Sequence, residues 1–242
     1  MKILIICSSS FGDIILSTPL FRCLKRQIAD AEVHLLTQQE FAPATSANPF
    51  IEKTIFLSPD LDSLNEQLKV EHYDFIIDLD NNYQSKKIKH TLKKKFSTIH
   101  RYYLWEKLLT RFKVDLMPQR HITLRCLDAA RPLGIRDDGL GLDFFIPEDG
   151  LIREDDLPHS HIAGFVVIII SASQFTKRMP IHKVKELCSK IDFPIVLVGD
   201  KDQQVSGDEI SSLDTIKIYN ACGKFTLFES ASIIKKSRVV IS

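Results

Sequence analysis

Short runs of aliphatic residues without polar alternation recur along the chain, at 2–6, 32–36, 54–57, 74–79, 162–170, 194–198, 216–219 and 239–241. Runs of this length, rich in Ile, Val and Leu, read as strands covered on both faces, as in a parallel sheet. Between them the apolar positions recur every three or four residues. That spacing predicts helices over 14–27, 61–70, 81–95, 104–112, 122–133, 183–191 and 227–235. Alternating strands and helices imply right-handed crossovers and doubly wound sheets, so the fold class is α/β. The pattern breaks once, around 146–161, where Pro147, Gly150, Pro158 and the acidic run Glu154-Asp155-Asp156 interrupt it. Two Rossmann-like domains are therefore expected, 1–157 and 158–242, the second incomplete because it stops on the strand Val239-Val240-Ile241-Ser242. Ligands of open α/β sheets sit outside the carboxyl ends of the strands, which is where the candidate chemistry should be sought.

Composition narrows the class without naming a function. Apolar residues make up 44% and charged residues 26%, which excludes a disordered tail and a low-complexity chain. The five cysteines, at 7, 23, 126, 188 and 222, are odd in number and form no C-x-x-C pair. A disulfide framework and a zinc knuckle both fit poorly, and a reducing cytoplasm fits better. No run approaches the ~20 apolar residues of a membrane span. The apolar stretch after Met1-Lys2 ends at Cys7, too short for the core of a secretory signal.

The net charge of +1 conceals a strong asymmetry. Residues 81–136 hold fourteen Lys/Arg against three acids, a local +11, while the remainder holds eighteen basic and twenty-eight acidic residues. Such a field suits an anionic partner, whether nucleic acid, a phosphorylated lipid or an acidic membrane surface, although a lysine-rich helix can equally be a solvated face.

The first strand leads into Ser8-Ser9-Ser10-Phe11-Gly12-Asp13 and then an apolar helix. Gly12 would allow a tight turn, and hydroxyls with helix N-terminal amides could hold an anion. By spacing alone Asp13 is an ordinary helix-capping carboxylate, and the glycines match neither G-x-G-x-x-G nor a Walker loop. Asp78-Leu79-Asp80 after a buried strand admits a divalent-metal reading. With Gly199-Asp200-Lys201-Asp202 it faintly suggests a haloacid-dehalogenase-like phosphatase, but Asn81 and Asn82 follow where D-x-D-x-[TV] is required.

Several segments together resemble glycosyltransferase family 9, the ADP-heptose:lipopolysaccharide heptosyltransferases. They are Ser9-Ser10-Phe11-Gly12-Asp13-Ile14 after the first strand, Asn48-Pro49-Phe50-Ile51, Tyr73-Asp74-Phe75-Ile76-Ile77-Asp78, and Ser173-Gln174-Phe175-Thr176-Lys177-Arg178-Met179-Pro180. Val198-Gly199-Asp200-Lys201-Asp202 and Asn220-Ala221-Cys222-Gly223-Lys224 extend the likeness across the chain. The resemblance implies a GT-B architecture and a metal-independent, inverting transfer from a nucleotide sugar, with no cofactor beyond the donor, ADP-heptose or a similar sugar. It implies Asp13 as the base on the acceptor hydroxyl. Ser173, Lys177 and Arg178 would meet the donor diphosphate, and Asp202 the nucleotide ribose. Ser9, Ser10, Gly12, Arg120 and Arg125 would face the acceptor.

The implied partners are a phosphorylated, Kdo-bearing glycolipid and, through Lys86, Lys87, Lys89, Lys93, Lys94 and Lys95, the anionic inner leaflet of the membrane, with a cytoplasmic location. Two departures stand out. Cys7 occupies a position the family commonly fills with arginine. The D-T-G-x-x-H loop that normally follows the strand near 238–242 does not follow here, so the resemblance implies impaired donor binding for a chain that stops there and admits a non-catalytic, glycolipid-binding remnant. A nucleic-acid module is the weaker rival, since no helix-turn-helix, zinc-finger or RRM signature accompanies the basic stretch. Tyr102, Tyr103 and Trp105 read as packing residues, and His159 and His161 as solvent-facing linker residues.

Overall fold

The computed structural model describes residues 1–100, 102–115, 119–172 and 174–242. They form two compact units, Met1–Phe145 and Ile146–Ser242. The first contains β1 (Lys2–Ile6), α1 (Phe11–Leu16), α2 (Thr18–Gln27), β2 (Glu32–Thr37), β3 (Lys53–Phe56), α3 (Leu61–Val70), β4 (Phe75–Asp78), α4 (Tyr83–Leu92), β5 (Lys95–Thr98), α5 (Tyr103–Phe112) and α6 (Ile122–Asp128). The second contains β6 (Val166–Ile169), α7 (Ile181–Lys190), β7 (Ile195–Val198), α8 (Gln204–Ser211), β8 (Ile218–Asn220), α9 (Leu227–Lys236) and β9 (Val239–Ile241).

Both sheets are parallel throughout, in the orders β3-β2-β1-β4-β5 and β8-β7-β6-β9. The α/β, Rossmann-like expectation therefore holds for each unit. Side chains alternate across a strand, and β1 shows the consequence. Ile3 and Ile5 pack with Leu20, Phe21 and Leu24 of α2, whereas Leu4 and Ile6 pack with Leu64 and Leu68 of α3 and Ile88 and Leu92 of α4. Each fully buried aliphatic side chain contributes roughly 1.5–3 kcal/mol, so the two-sided runs fix the central strands. In the second unit Ile168 faces Val184 and Cys188 of α7 and Ile210 of α8, while Val167 faces Ile233 of α9.

Several expected boundaries move. The inter-unit boundary falls at 145/146 rather than 157/158, because Ile152 is buried in the second unit's core. Its N–H donates to Ser232 Oγ at 3.1 Å and its carbonyl accepts from Lys236 Nζ at 2.6 Å. Gly150 belongs there too, since a Cβ would lie 2.5 Å from Phe228 Cβ. Residues up to Phe145 stay with the first unit through Arg22. This 2% exposed guanidinium donates to both carboxylate oxygens of Asp138 at 2.8 Å, to Asp143, and to Gly141 O at 2.9 Å.

The helix expected over 14–27 divides at Ser17, with Pro19 in the first turn of α2, where its missing N–H costs nothing. The helix expected to run to 95 stops at Leu92, Lys93 adopts a left-handed φ of 51°, and β5 follows as an edge strand beside β4. Lysines hid that strand because edge strands tolerate and often use them. α8 carries only a short buried stripe, Gly207 and Ile210, and its pattern is faint in the sequence. His159 is exposed as expected, but His161 is 1% exposed, with Nε2 3.1 Å from Ile195 O, and burial lowers its pKa.

At the amino edge of the first sheet, Lys2 and Lys53 clamp Glu71, and Lys2 also meets Glu32 at 3.0 Å. His34 joins them, 2.9 Å from both Tyr73 OH and Glu32 Oε1. Glu32, His34 and Glu71 lie close enough to ligate a metal, but the two lysines already neutralise the carboxylates. Lys53 first, then Lys2, holds Glu71 down to about 2. A carboxylate depressed in the folded state stabilises above its ordinary value near 4.5, and that contribution disappears as pH falls toward about 2. The urea midpoint should accordingly drop between pH 5 and pH 2, and Glu71→Gln should make that drop shallower; an identical slope in the variant would remove Glu71 from the account.

Candidate functional site

Because every strand in the first sheet is parallel, the carboxyl ends of β1, β4 and β5 share one edge, and the strand order reverses between β1 and β4. The loop after β1 crosses this switch point. Asp80, 2% exposed, holds it: Ser8 N donates to Oδ1 and Oδ2 at 3.0 and 2.9 Å, Ser8 Oγ donates to Oδ2, and Ser9 Oγ donates to Oδ1 at 2.8 Å. Gln38, after β2, donates from Nε2 to Ser8 O at 2.8 Å. The loop is thereby fixed from the strands on both sides of β1.

Ser10, not Asp13, is the N-cap of α1, and its Oγ accepts from Asp13 N at 3.0 Å. Asp13 sits in the first turn, half-buried, where a carboxylate complements the helix dipole. Its carboxylate has no hydrogen bond or ion pair among the described residues. Gly12 is helical rather than a tight turn, and a Cβ there would meet only Ser10 Oγ at 3.8 Å. Its lack of a side chain leaves the approach to the helix start open. Cys7 is 1% exposed in the core, where burial pushes its thiol well above the usual range, so it supplies no cation to this edge.

The metal and phosphatase reading of Asp78 and Asp80 fails on their occupancy. Asp78, wholly buried, accepts from Asp80 N at 3.0 Å, Asn81 N at 2.8 Å and Ser85 Oγ at 2.9 Å, and pairs with Lys89 Nζ. With Asp80 committed to Ser8 and Ser9, both carboxylates serve to position the β1 and β4 loops. Lys89, expected among the solvent-facing lysines, is instead 8% exposed in this pair. Asn81 takes a left-handed φ of 48°, which asparagine tolerates better than most residues, and so turns the chain toward α4.

Arg120 and Arg125 are held locally. Arg120 makes a two-pronged ion pair with Asp128, and Arg125 donates to His100 O while stacking 4.5 Å from the Tyr102 ring. No described contact joins either arginine to the Asp13 loop. Side chains at Tyr103 and Trp105 lie outside the described residues.

In the second unit the ends of β6, β7 and β8 form the corresponding edge. Lys177 closes a short 3-10 turn (Phe175–Lys177), exposed and without an ion pair among the described residues. Arg178 Nε donates to Ala172 O at 2.8 Å and helps line a cavity of about 610 Å³ with Ile170, Thr176, Met179, His182 and Gln203. Asp202 is exposed on the turn after β7. Ser173 lies outside the described residues. The loops after β7 and β8 interlock: Gly223 N donates to Gly199 O at 3.0 Å, and a Cβ on Gly223, φ +68°, would come within 2.8 Å of Lys201 Cα. Burial pushes the Cys222 thiol up to about 12, which keeps it protonated and unreactive.

Local pattern marks the Asp13 loop and Lys177 as candidates in the sequence, whereas Gln38 and the positioning role of Asp80 leave no such mark. The D-x-D spacing was visible; its partners, more than seventy positions away, were not.

Two parallel-sheet units, each with polar loops at the strand ends, define a Rossmann-like α/β protein. The family model of glycosyltransferase family 9 (heptosyltransferase) matches residues 61–242, and the chain belongs to that family. Among curated proteins it is similar to lipopolysaccharide heptosyltransferase 3 of Escherichia coli K12, 30% identical over 143 residues, covering 52% of this chain and 40% of that protein. Among solved structures it resembles a glycosyl transferase family 9 protein of Veillonella parvula, with a TM-score of 0.79 and 16% identity over 99% of this chain and 74% of that one. It also resembles the E. coli heptosyltransferase WaaC, solved with ADP-2-deoxy-2-fluoro heptose, with a TM-score of 0.74 and 19% identity over 99% and 82%. At these identities the structural likeness is one of fold. The family match contains Lys177 and begins after Asp13.

Proposed function

We propose that this protein transfers heptose, with inversion and without a metal, from an ADP-activated donor to a hydroxyl of a phosphorylated lipopolysaccharide-core acceptor. The observation that carries the proposal is Asp13, a carboxylate with no hydrogen bond or ion pair among the described residues, in the first turn of α1 on a loop fixed by Asp80 and Gln38. As the acceptor oxygen attacks the anomeric carbon, its proton passes to Asp13. The bond to the diphosphate breaks on the opposite face, and ADP leaves with the electron pair. Lys177, with Arg178 and Ser173, offsets the charge gathering on ADP, and Asp202 takes the ribose hydroxyls. Ser9, Ser10 and Gly12 border the acceptor.

Arg120 and Arg125 are placed toward acceptor anions only if they exchange their present partners. The anionic leaflet is met instead by exposed Lys86 and Lys87 of α4 and Lys93 and Lys94 in the turn after it, with Lys95 and Phe96 of β5; Tyr83 and Phe96 are 80% and 56% exposed. Among the described residues no helix is long and apolar enough to cross a membrane. A peripheral, cytoplasmic enzyme is consistent with that surface.

Calorimetry with ADP tests the donor half directly. A charge-assisted contact worth about 1.5–3 kcal/mol predicts a ~10- to 150-fold weaker affinity for Lys177→Ala. Transfer from ADP-heptose should persist in EDTA. Glycolipid binding without any ADP binding would establish the non-catalytic reading instead.

A further inference from the structure

The carboxyl edge of the first sheet is chemically lopsided. β4 and β5, on one side of β1, lead into the lysines. On the other side, the ends of β2 and β3, with Gln84 from the first turn of α4, line an open groove of about 600 Å³ that has no part in the transfer step. Its polar wall consists of Gln38, Gln39, Glu40, Ser58 and Gln84. Leu57 and Pro59 supply an apolar patch, and no Lys, Arg or His lines the space.

This lining selects a ligand by chemistry. Amides offer donors and acceptors together, Glu40 accepts only, and Ser58 does both, which is the mixture that vicinal hydroxyls require. Leu57 and Pro59 can lie against the C–H face of a pyranose ring. A phosphate or a sugar carboxylate would meet the Glu40 carboxylate here with no compensating cation among the lining residues. The volume lies within the range of small-ligand pockets. Gln38 ties the groove to the catalytic loop, since its Nε2 donates to Ser8 O at 2.8 Å, on the segment that leads to Asp13.

We infer that this groove is an acceptor subsite for an uncharged, polyhydroxylated sugar ring, while the acceptor's anionic groups lie on the β4–β5 side. The inference rests on the glycosyltransferase reading and narrows its acceptor. It divides recognition between two sides of β1: hydroxyls on the amide side, charge on the lysine side.

Saturation-transfer NMR on the full chain would compare three probes: a neutral methyl heptoside, the same heptoside carrying a phosphate, and free Kdo. The neutral sugar should bind at least about tenfold more tightly than either acid, the equivalent of about one polar contact. Gln39→Leu and Gln84→Leu alter exposed side chains outside the catalytic loop. Each should weaken the neutral sugar about fivefold to tenfold, with ADP binding by calorimetry unchanged. Glu40→Lys should shift preference toward the phosphorylated probe. Equal or tighter binding of the acidic sugars, absence of sugar binding, or indifference to both leucine variants would each overturn the subsite. Loss of ADP binding in the parent chain, with the sugar order intact, would instead remove the donor assignment and leave the subsite standing.

Discussion

Replacing Asp13 by asparagine is expected to lower sugar transfer by about 10²- to 10⁴-fold, the usual contribution of a positioned general base. The substitution keeps shape, helix position and the Ser10 cap, which uses the backbone N–H of residue 13 rather than its side chain. What disappears is the ability to take the acceptor proton. ADP affinity and the unfolding midpoint should stay near those of the parent, because the carboxylate has no described internal partner to lose. Turnover within a fewfold of the parent would refute the base assignment. A parallel loss of ADP affinity would mean that the residue serves donor binding or folding instead.

The second large effect concerns stability. Arg22→Ala removes a nearly buried guanidinium, leaving Asp143 without that partner and Asp138 with only the more distant Arg26, at 3.8 Å. Breaking a buried ion pair from one side costs about 3–5 kcal/mol. For a unit of this size that corresponds to a fall of roughly 10 °C in the unfolding midpoint, measurable by calorimetry. Arg22 holds Asp138 well below the ordinary carboxylate range, so the network also weakens in acid, as Glu71 does. A triple variant, Arg22→Met with Asp138→Asn and Asp143→Asn, should recover much of the loss, because uncharged groups no longer need one another. A fall of less than about 1 kcal/mol in Arg22→Ala would place the pairs in the weak, solvent-screened class.

Both effects depend on residues that the sequence exposes unequally. Asp13 follows a strand and opens a helix, and that local syntax, together with the family resemblance, is enough to single it out. Arg22 is one basic residue in an amphipathic helix, and nothing adjacent marks it as buried. Its partners lie more than a hundred positions away, so only the folded chain shows the clamp. Lys89 is similar. In sequence it belongs to a lysine run, yet it is the member that turns inward to Asp78.

The pattern of apolar runs by itself determined the α/β class, the central strands and the parallel arrangement, because a strand buried on both faces must be apolar at nearly every position. It also determined where the loop bearing Ser9, Ser10, Gly12 and Asp13 begins. Tertiary structure alone decided that Ser10 caps α1, that Asp80 and Gln38 hold the loop, that β5 exists beneath its lysines, and that the chain divides into its two units at 145/146. It alone also placed the amide-lined groove between the ends of β2 and β3. Burial and periodicity are local and leave a trace in neighbouring residues. The partners of a buried charge, and the walls of a cavity, come from segments far apart in the chain and become neighbours only when the sheet has assembled.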